Sequence, residues 1–422
     1  MRPDDILRTL RARRDAHSPL GITSVCSAHE LVIEAALRQA AADDTPALIE
    51  ATCNQVNQEG GYTGMTPADF RTFVEGIADR IGFPRHGLIL GGDHLGPNPW
   101  RRLPAAEAMD KAVAMIDAYA RAGFTKLHLD ASMGCAGEAE APPDAVIAKR
   151  AARLARAADA AAGAEQPFFI IGTEVPTPGG ATHALDHLVP TAPDAVLATY
   201  RVHEEEFRRV APDAWSRVIA IVVQPGVEFG HQDVVIYRPD EARALVRTLD
   251  RMPGLVFEAH STDYQPEAAL AGLVRDGFPI LKVGPGLTFA LREAIYGLDA
   301  IAAVLRPCGG RIEDAMEELM LAEPGNWRSH YPGTPAEQRV LRHYSLSDRI
   351  RYYWPAPAAR QAVDALLSRL DGVAIPLPLI SQFLPRLHDR VASGTLPAQP
   401  RALMVEAVRD VLRCYARACA PA

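Results

Sequence analysis

Short, nearly continuous apolar runs alternate along the first three-quarters of the chain with longer segments whose apolar residues recur at helical spacing. The runs lie at 20–26, 46–53, 88–92, 126–131, 167–172, 217–223, 254–257 and 279–283. Runs that are apolar throughout are typical of parallel strands covered by helices on their outer face. The pattern therefore predicts about eight strand–helix units. One such helix is expected at 67–81, with Thr66 as its cap and Pro67 in its first turn.

Polar residues follow nearly every run, at the point where the strand should end. They include Asp93-His94, Asp130, Glu174, Gln224 and His260. A doubly wound sheet usually places its chemistry at one switch point, after a glycine fingerprint on the first strand. Polar strand ends all round instead predict an α/β fold of the (β/α)8 TIM-barrel type, with its active site at the carboxyl ends of the strands. We expect the barrel to span residues 1–305 and a helical extension, packed on the barrel, to span 306–422.

Composition narrows the choice of partners and compartment. The 422 residues are 48% hydrophobic and 23% charged, with a formal net charge of -8. Such a charge gives no reason to expect nucleic acid or an anionic membrane as a partner. Six scattered cysteines without a CxxC pair suit a reducing compartment. The first residues lack an apolar signal core and no stretch is long enough to span a membrane, so a cytoplasmic protein is predicted.

Candidate chemistry centres on LILGGDHLGPNPW at 88–100, where an acid and an imidazole follow two glycines. Asp93 could transfer protons and His94 could bind a metal, or the pair could merely cap and pack. The polar loop after the second run, which includes Asn54 and Gln55, is costly to keep unless it binds something. Asp130 and Lys282 either act at the barrel mouth or form an internal salt bridge. Four further residues are expected only to pack: Cys26, His29, Cys53 and His128.

Two segments are candidates for holding a phosphate. A glycine turn follows the eighth run, and backbone N–H groups ahead of a helix form an anion site. Barrel enzymes also often bind a phosphate after their last two strands. Ser261, Gly284, Gly286 and Thr288 are therefore expected to bind a phosphate group. The second segment is HYSLSDRIRYYWP at 343–355. Its aromatic residues could simply cover the barrel, or Arg349 or Arg351 could reach the mouth and hold the phosphate.

Long motifs carry a resemblance to a known family: LIEATCNQVNQEGGYTGMTPADF, LGGDHLGPNPW, LHLDASM, IGTEVPTPGG, VIAIVVQPGVEFGH, FEAHSTDYQ, LKVGPGLTFALREAI and YSLSDRIRYYWP. Together they resemble the Z-subunit family of tagatose-1,6-bisphosphate aldolase, also described as the D-tagatose 6-phosphate 4-epimerase family. That family has been described both as a non-catalytic partner of an aldolase subunit and as a metal-dependent epimerase. A sugar kinase finds no support, because the chain has no Walker-type phosphate loop.

A more distant resemblance to the class II, metal-dependent aldolase barrels implies roles for single residues. It implies a divalent ion held by His94, Glu174, Gln224 and His260, with the nitrogens of the two histidines within about 5 Å of each other. Gln224 departs from the expected histidine. Either His231 replaces it, or the site takes a harder metal such as manganese, cobalt or magnesium in place of zinc. The expected catalytic residues are Asp93, Asp130 and Glu174. The expected substrate-binding residues are Glu50, Asn54, Gln55, Ser261, Lys282, Gly284, Gly286, Thr288 and Arg349.

The resemblance implies two alternative functions in galactitol and tagatose catabolism. In the first, the chain interconverts D-tagatose 6-phosphate and D-fructose 6-phosphate by a retro-aldol route, because the C4 proton itself is not acidic. A base, Asp93 before Asp130, takes the C4 hydroxyl proton, C3–C4 breaks, and the aldehyde is added back on its other face. In the second, the chain is a non-catalytic subunit that stabilises a class II aldolase. A homo-oligomer is left open by the sequence.

Overall fold

The computed structural model describes residues 3–173 and 188–421, and Glu174 therefore lies outside the described residues. Ten strands occur in the described part of the chain. Their bounds are β1 Ile22–Cys26, β2 Ala47–Thr52, β3 Leu88–Leu95, β4 Lys126–Leu129, β5 Phe168–Ile171, β6 Val218–Val222, β7 Glu228–Phe229, β8 Val234–Val235, β9 Val256–Ala259 and β10 Ile280–Val283.

Eight of these strands close into a barrel in the order β1-β10-β9-β6-β5-β4-β3-β2. Every neighbouring pair in it is parallel, and the barrel closes where β1 pairs with β10, with Ile22 opposite Ile280. The two remaining strands, β7 and β8, form a separate antiparallel pair after β6. The predicted (β/α)8 barrel is confirmed, and its seventh and eighth strands are β9 and β10.

Helices surround the barrel and form the extension. Their bounds are α1 Pro3–Asp15, α2 Glu30–Asp43, α3 Pro67–Ile81, α4 Ala105–Arg121, α5 Asp144–Ala161, α6 Pro193–Val210, α7 Pro212–Trp215, α8 Pro239–Val246, α9 Glu267–Arg275, α10 Pro285–Leu305, α11 Ile312–Ala322, α12 Pro335–Tyr344, α13 Pro357–Leu370, α14 Leu377–Phe383, α15 His388–Ala392 and α16 Pro400–Cys419. Short 3-10 turns lie at Gly61–Thr63, Arg85–Gly87, Asn98–Trp100, Arg247–Arg251, Pro324–Asn326, Arg349–Tyr352 and Pro385–Leu387. No helix in the described ranges is long and apolar enough to cross a membrane.

The inward-facing residues of the barrel change from apolar to polar along the strands. At the amino ends of the strands an apolar layer that includes Ile22, Leu48 and Ile280 is buried against Ile6 and Leu10 of α1. Alternate residues of a strand face the same way, so the next inward positions are two residues further on. These positions are largely polar, and they lead to the carboxyl ends of the strands. Helix α1 thus closes the amino end, and the chemistry is confined to the other end.

The extension is tied to the barrel by its last helix. Helix α16 packs against β1, α2, α9 and α10. The Gly21 N–H donates to the Cys419 carbonyl at 2.9 Å, just before β1 begins. A Cβ at Gly21 would lie 2.7 Å from Cys419 Sγ and 2.9 Å from Val274 Cγ2, so only glycine fits without a shift. The C-terminal helix therefore forms part of the outer layer of the barrel.

Gly21→Ala should destabilise the whole barrel, because the added methyl group must displace α16. We expect the free energy of unfolding, measured by urea denaturation, to fall by about 1–3 kcal/mol. Gly76→Ala is the matched control, since Gly76 lies in α3 with no atom within 4 Å of the added carbon. It should leave stability unchanged or raise it by up to about 1 kcal/mol. Equal losses of stability in the two variants would contradict the conclusion that α16 stabilises the barrel through its contact at Gly21.

Candidate metal centre

Five charged side chains on the barrel strands form a continuous chain of ion pairs inside the barrel. Lys126 Nζ on β4 lies 2.6 Å from Glu50 Oε1 on β2 and 2.8 Å from Glu258 Oε2 on β9. Lys282 on β10 contacts the other Glu50 oxygen and lies 2.8 Å from Asp93 Oδ1. All five side chains are buried. Because an unpaired buried charge is expensive, each ammonium group holds two carboxylates in fixed positions.

Glycine makes room for the centre of this chain. A Cβ at Gly91 on β3 would lie 2.7 Å from both Glu50 Cγ and Glu50 Oε1. The structure places this glycine inside β3, opposite Glu50. Its missing side chain therefore provides the space in which the central carboxylate sits between the two lysines.

Three histidines lie above the ion pairs, and a carboxylate holds one nitrogen of each. The pairs are His94 Nδ1 with Asp130 Oδ2 at 2.8 Å, His128 Nδ1 with Asp93 Oδ1 at 3.0 Å, and His260 Nε2 with Glu258 Oε1 at 2.9 Å. The three ring centroids lie 5.0 to 5.1 Å apart. A carboxylate behind an imidazole is the usual second partner of a metal-binding histidine, because it fixes the ring and leaves the other nitrogen for the metal.

The ligand atoms of four buried residues converge on one point. Asp93, His94, His128 and His260 each offer one ligand atom, and these atoms all lie within 4.8 Å of one another. His94 and His260 were expected to share an ion at such a distance. His128 was expected only to pack, but the structure places its ring in this group. Lys126 and His128 alternate along β4, and Asp130 follows directly after the strand, so the three side chains lie on one face.

The donor set and the charge both fit a divalent ion. His128 Nε2 is buried without a hydrogen-bond partner, and three imidazoles with one carboxylate suit a divalent transition metal. The charges fit as well, because four buried carboxylates face only two lysines. The carboxylates are Glu50, Asp93, Asp130 and Glu258. With the three histidines neutral, as they are when they bind a metal, the excess of two negative charges equals the charge of the ion.

The electrostatics favour the metal-binding protonation state at Asp93 and His260, but not at His94. Burial alone would lower the pKa of His94, but Asp93 and Asp130 raise it above its usual value, so an ion must displace a proton there. Burial alone would raise the pKa of Asp93, but His94, Lys282 and His128 bring it well below its usual range. Burial lowers the pKa of His260 to about 4, against the opposite influence of Glu258 and Asp93. An ionised carboxylate and a neutral imidazole are the forms that coordinate a metal. These two side chains therefore do not need to lose a proton at neutral pH before binding an ion.

Two expected ligands lie elsewhere in the structure. The side-chain oxygen of Gln224 accepts from the N–H groups of Gly226 and Val227, both at 2.8 Å, and so shapes the turn after β6. The alternative ligand His231 contacts the His330 carbonyl at 2.9 Å through Nε2. Its ring joins the β7–β8 segment to the extension. His231 is not part of the group of four candidate ligands, and the Gln224 oxygen is already engaged by two N–H groups. The predicted role of Glu174 stays a prediction because it lies outside the described residues.

A cavity of about 520 Å³ opens above the candidate ligands. The expected substrate-binding residues Asn54, Gln55 and Lys282 line it. Cys26 also lines it, and its thiol donates to Asp93 Oδ2 at 3.4 Å. Glu50 belongs to the ion pairs beneath and has no exposed surface. A small polar molecule bound in this cavity would therefore contact Asp93, His94 and His260, which line it.

The expected phosphate site at the glycine turn is occupied by a carboxylate of the chain itself. Asp263 Oδ1 accepts from the Gly284 N–H at 3.0 Å and from the Gly286 N–H at 2.7 Å. The Thr288 hydroxyl donates to Asp348 Oδ2 at 2.6 Å. The helix start does attract an anion, as expected, but Asp263 supplies it. These donors are therefore already engaged, and the Ser261 side chain, which lines the cavity, is hydrogen-bonded to Glu228.

The two arginines of the 343–355 segment point to different places. Arg349 donates through Nε to the Asn326 carbonyl, and its backbone N–H donates to the Tyr331 hydroxyl at 3.1 Å. Arg351 lines the cavity, whereas Arg349 does not. The expectation that Arg349 contacts the substrate is therefore not supported by its position, and Arg351 takes that place on the wall.

Known proteins match the chain over nearly its full length. The family model of the D-tagatose-1,6-bisphosphate aldolase subunit GatZ/KbaZ-like proteins matches residues 7–420. The chain belongs to this family. It is 56% identical over 97% of both chains to a D-tagatose 6-phosphate 4-epimerase of Agrobacterium fabrum. It is 50% identical, over 98% of this chain and 99% of the other, to the D-tagatose-1,6-bisphosphate aldolase subunit GatZ of Salmonella newport.

A crystal structure agrees with the fold of this GatZ/KbaZ-like protein. It is that of a probable tagatose 6 phosphate kinase from Sinorhizobium meliloti 1021, which is 58% identical in sequence. The two structures superpose with a TM-score of 0.89 over 94% of this chain and all of the other. The family and its fold are thus shown, whereas its members carry different functional names.

His128→Ala should weaken metal binding, because it removes one of the three converging imidazoles. Loss of a residue that merely orients a ligand costs about 10–100-fold in affinity, so loss of a ligand should cost at least about 100-fold. Isothermal titration calorimetry with zinc and cobalt would measure this. Gln224→Ala is the control, and we expect it to retain wild-type affinity. A variant pair with the opposite behaviour would show that Gln224 is the ligand.

Proposed function

We propose that this protein is a metal-dependent epimerase that inverts C4 of a ketose 6-phosphate, interconverting D-tagatose 6-phosphate and D-fructose 6-phosphate. The observation that carries the proposal is the convergence of Asp93, His94, His128 and His260 within 4.8 Å, beneath a cavity of about 520 Å³. A purely structural subunit has no need for such a buried polar group, which costs stability unless it is used. The name of the relative from Agrobacterium fabrum supports the same function.

The proposed ion is a transition metal held by the three histidines, with Asp93 beside it as acid and base and not as a ligand. Zinc, cobalt and manganese accept imidazole ligands, whereas magnesium prefers oxygen. The reason for expecting a harder metal was the amide of Gln224, and His128 removes that reason. When bound, the ion would supply Lewis-acid polarisation of the substrate oxygens.

Asp93 is the proposed acid and base. Its Oδ1 is held by Lys282 at 2.8 Å and by His128 at 3.0 Å, so the carboxylate cannot rotate freely. Its Oδ2 accepts from the weak thiol donor of Cys26 at 3.4 Å and lies 3.7 Å from His94 Nε2, which leaves this oxygen available to a substrate hydroxyl. It takes the proton of the C4 hydroxyl as C3–C4 breaks and the bonding electron pair moves to C3, giving the enediolate of dihydroxyacetone. It returns the proton when C3 adds back to the other face of the aldehyde.

Asp130 has a different proposed role from the one expected. One of its oxygens faces His94 Nδ1 at 2.8 Å, and the other accepts from the Ser132 N–H and hydroxyl at 3.0 and 2.6 Å. Both oxygens are therefore engaged within the protein. We assign Asp130 to positioning His94, and not to proton transfer.

The second candidate function is that of a subunit that stabilises an aldolase. The name of the relative from Salmonella newport favours it, at 50% identity over nearly the full length. The two functions predict different behaviour of the purified chain. An epimerase needs no partner, whereas a stabilising subunit shows its effect only on the aldolase.

The purified, metal-loaded chain should interconvert the two ketose 6-phosphates without a partner, as followed by NMR. Asp93→Asn keeps the shape but removes the base, so turnover should fall by about 10²-fold or more while metal content is retained. Asp389→Asn is the control, because the Asp389 side chain is fully exposed. Breakage at C3–C4 should also release traces of dihydroxyacetone and glyceraldehyde 3-phosphate.

A stabilising subunit would give a different result in the same assay. If the metal-loaded chain shows no interconversion, yet prolongs the activity of a co-expressed aldolase subunit, then the subunit function replaces the epimerase function.

A further inference from the structure

The cavity wall carries four Lys or Arg side chains: Lys282, Arg351, Arg360 and Arg401. Lys282 is neutralised by the barrel carboxylates, and Arg401 contacts Glu30 and Glu34 at 3.1 and 2.6 Å. Within residues 3–173 and 188–421, neither of the other two has a carboxylate oxygen within 4 Å. Of these two, Arg360 is exposed and Arg351 is partly buried. Arg351 is therefore the sheltered cation of the cavity wall that has no carboxylate in direct contact.

Neutral groups hold the Arg351 guanidinium in place. One Nη atom donates to the backbone carbonyls of Ser347 and Asp348, the second of these at 3.1 Å. The other Nη atom donates to the Tyr352 hydroxyl at 2.8 Å, and the guanidinium carbon lies 4.4 Å from the centre of that ring. These partners are neutral, and the carboxylates that act on the charge, Asp348 and Asp263, do so from beyond 4 Å. A partly buried guanidinium without a direct anionic partner would gain a close ion pair when an anion binds.

Contacts across the cavity connect Arg351 to the metal centre. Tyr352 packs edge-to-face on Tyr62, which belongs to the loop after β2, with ring centroids 5.1 Å apart. The Tyr62 side chain is hydrogen-bonded to Gln55, and the Cys26 thiol lies 4.0 Å from the Gln55 side-chain oxygen. Cys26 in turn touches Asp93. One wall of the cavity thus runs from the proposed base to the arginine.

Resting on the proposed function, we propose that Arg351 binds the phosphate group of the ketose phosphate and thereby selects phosphorylated over free sugars. The glycine turn is not available for this task, because Asp263 already takes its N–H donors. A planar guanidinium matches phosphate oxygens with two parallel hydrogen bonds. The extension thus supplies the specificity of the site, whereas the barrel supplies its chemistry.

Calorimetry on the full metal-loaded chain tests this with two probes, D-tagatose 6-phosphate and inorganic phosphate. Arg351→Gln should weaken the binding of both by about 10–100-fold, as expected for the loss of charge-assisted hydrogen bonds. Arg351→Lys keeps the charge but loses the planar pair of donors, so its affinity should lie between those of the wild type and Arg351→Gln. This variant also keeps the test decisive if Arg351→Gln does not fold. Arg328→Gln removes an equal charge from an exposed position of the extension and should change nothing.

Kinetics supply the second measurement. Arg351→Gln should raise KM for D-tagatose 6-phosphate while kcat changes little, because the phosphate lies away from the reacting carbon. Wild-type affinity in the variant, or a loss in Arg349→Gln or Arg360→Gln in its place, would overturn the proposal. Arg351-dependent binding of inorganic phosphate by a chain without turnover would instead refute the epimerase function and leave the phosphate site standing.

Discussion

The surplus of buried negative charge at the carboxyl end of the barrel constrains the rest of the structure. Glu50 sits between Lys126 and Lys282, and each lysine also holds a carboxylate that faces a histidine. Pairing within the protein therefore fixes the positions of Asp93 and Glu258 but does not balance the charge. A divalent ion would supply the balance, and the same pairs would orient its ligands. The stability of the barrel interior and its proposed chemistry thus depend on one set of contacts.

The fold keeps this polar interior away from the other end of the barrel. Helix α1 covers an apolar layer at the amino ends of the strands, so the charged layer opens only toward the cavity. The extension contributes to that cavity as well as to the outer layer. Its α16 packs beside β1, and its 343–355 segment brings Arg351 and Tyr352 to the mouth. A barrel without the extension would therefore lack part of its outer layer and part of its binding site.

The periodic pattern was sufficient to predict the barrel, its strands and several local features. Thr66 caps α3 in a capping box with Asp69, as the Thr-Pro sequence indicated. His94 and His260 were placed together because both follow strands of one parallel sheet. The pattern could not show which face of β4 points inward, since strands buried on both faces carry apolar residues on both. His128 and Lys126 were missed for this reason, although their alternation with Asp130 was visible.

Other features depend on contacts between distant residues that no local pattern records. The glycine turn was correctly predicted to attract an anion, but only the fold shows that Asp263 reaches it. Arg349 and Arg351 are two residues apart in one 3-10 turn, and the direction of that turn decides which one faces the cavity. Gln224 matched an expected ligand position in sequence, yet its side chain folds back on its own turn.

Anomalous diffraction from crystals of the zinc- or cobalt-loaded protein would test the central claim most directly. The claim predicts one strong anomalous peak with nitrogen atoms of His94, His128 and His260 about 2.0–2.1 Å away. A peak bound through Gln224 or His231, or no peak at the three histidines in metal-saturated crystals, would contradict it.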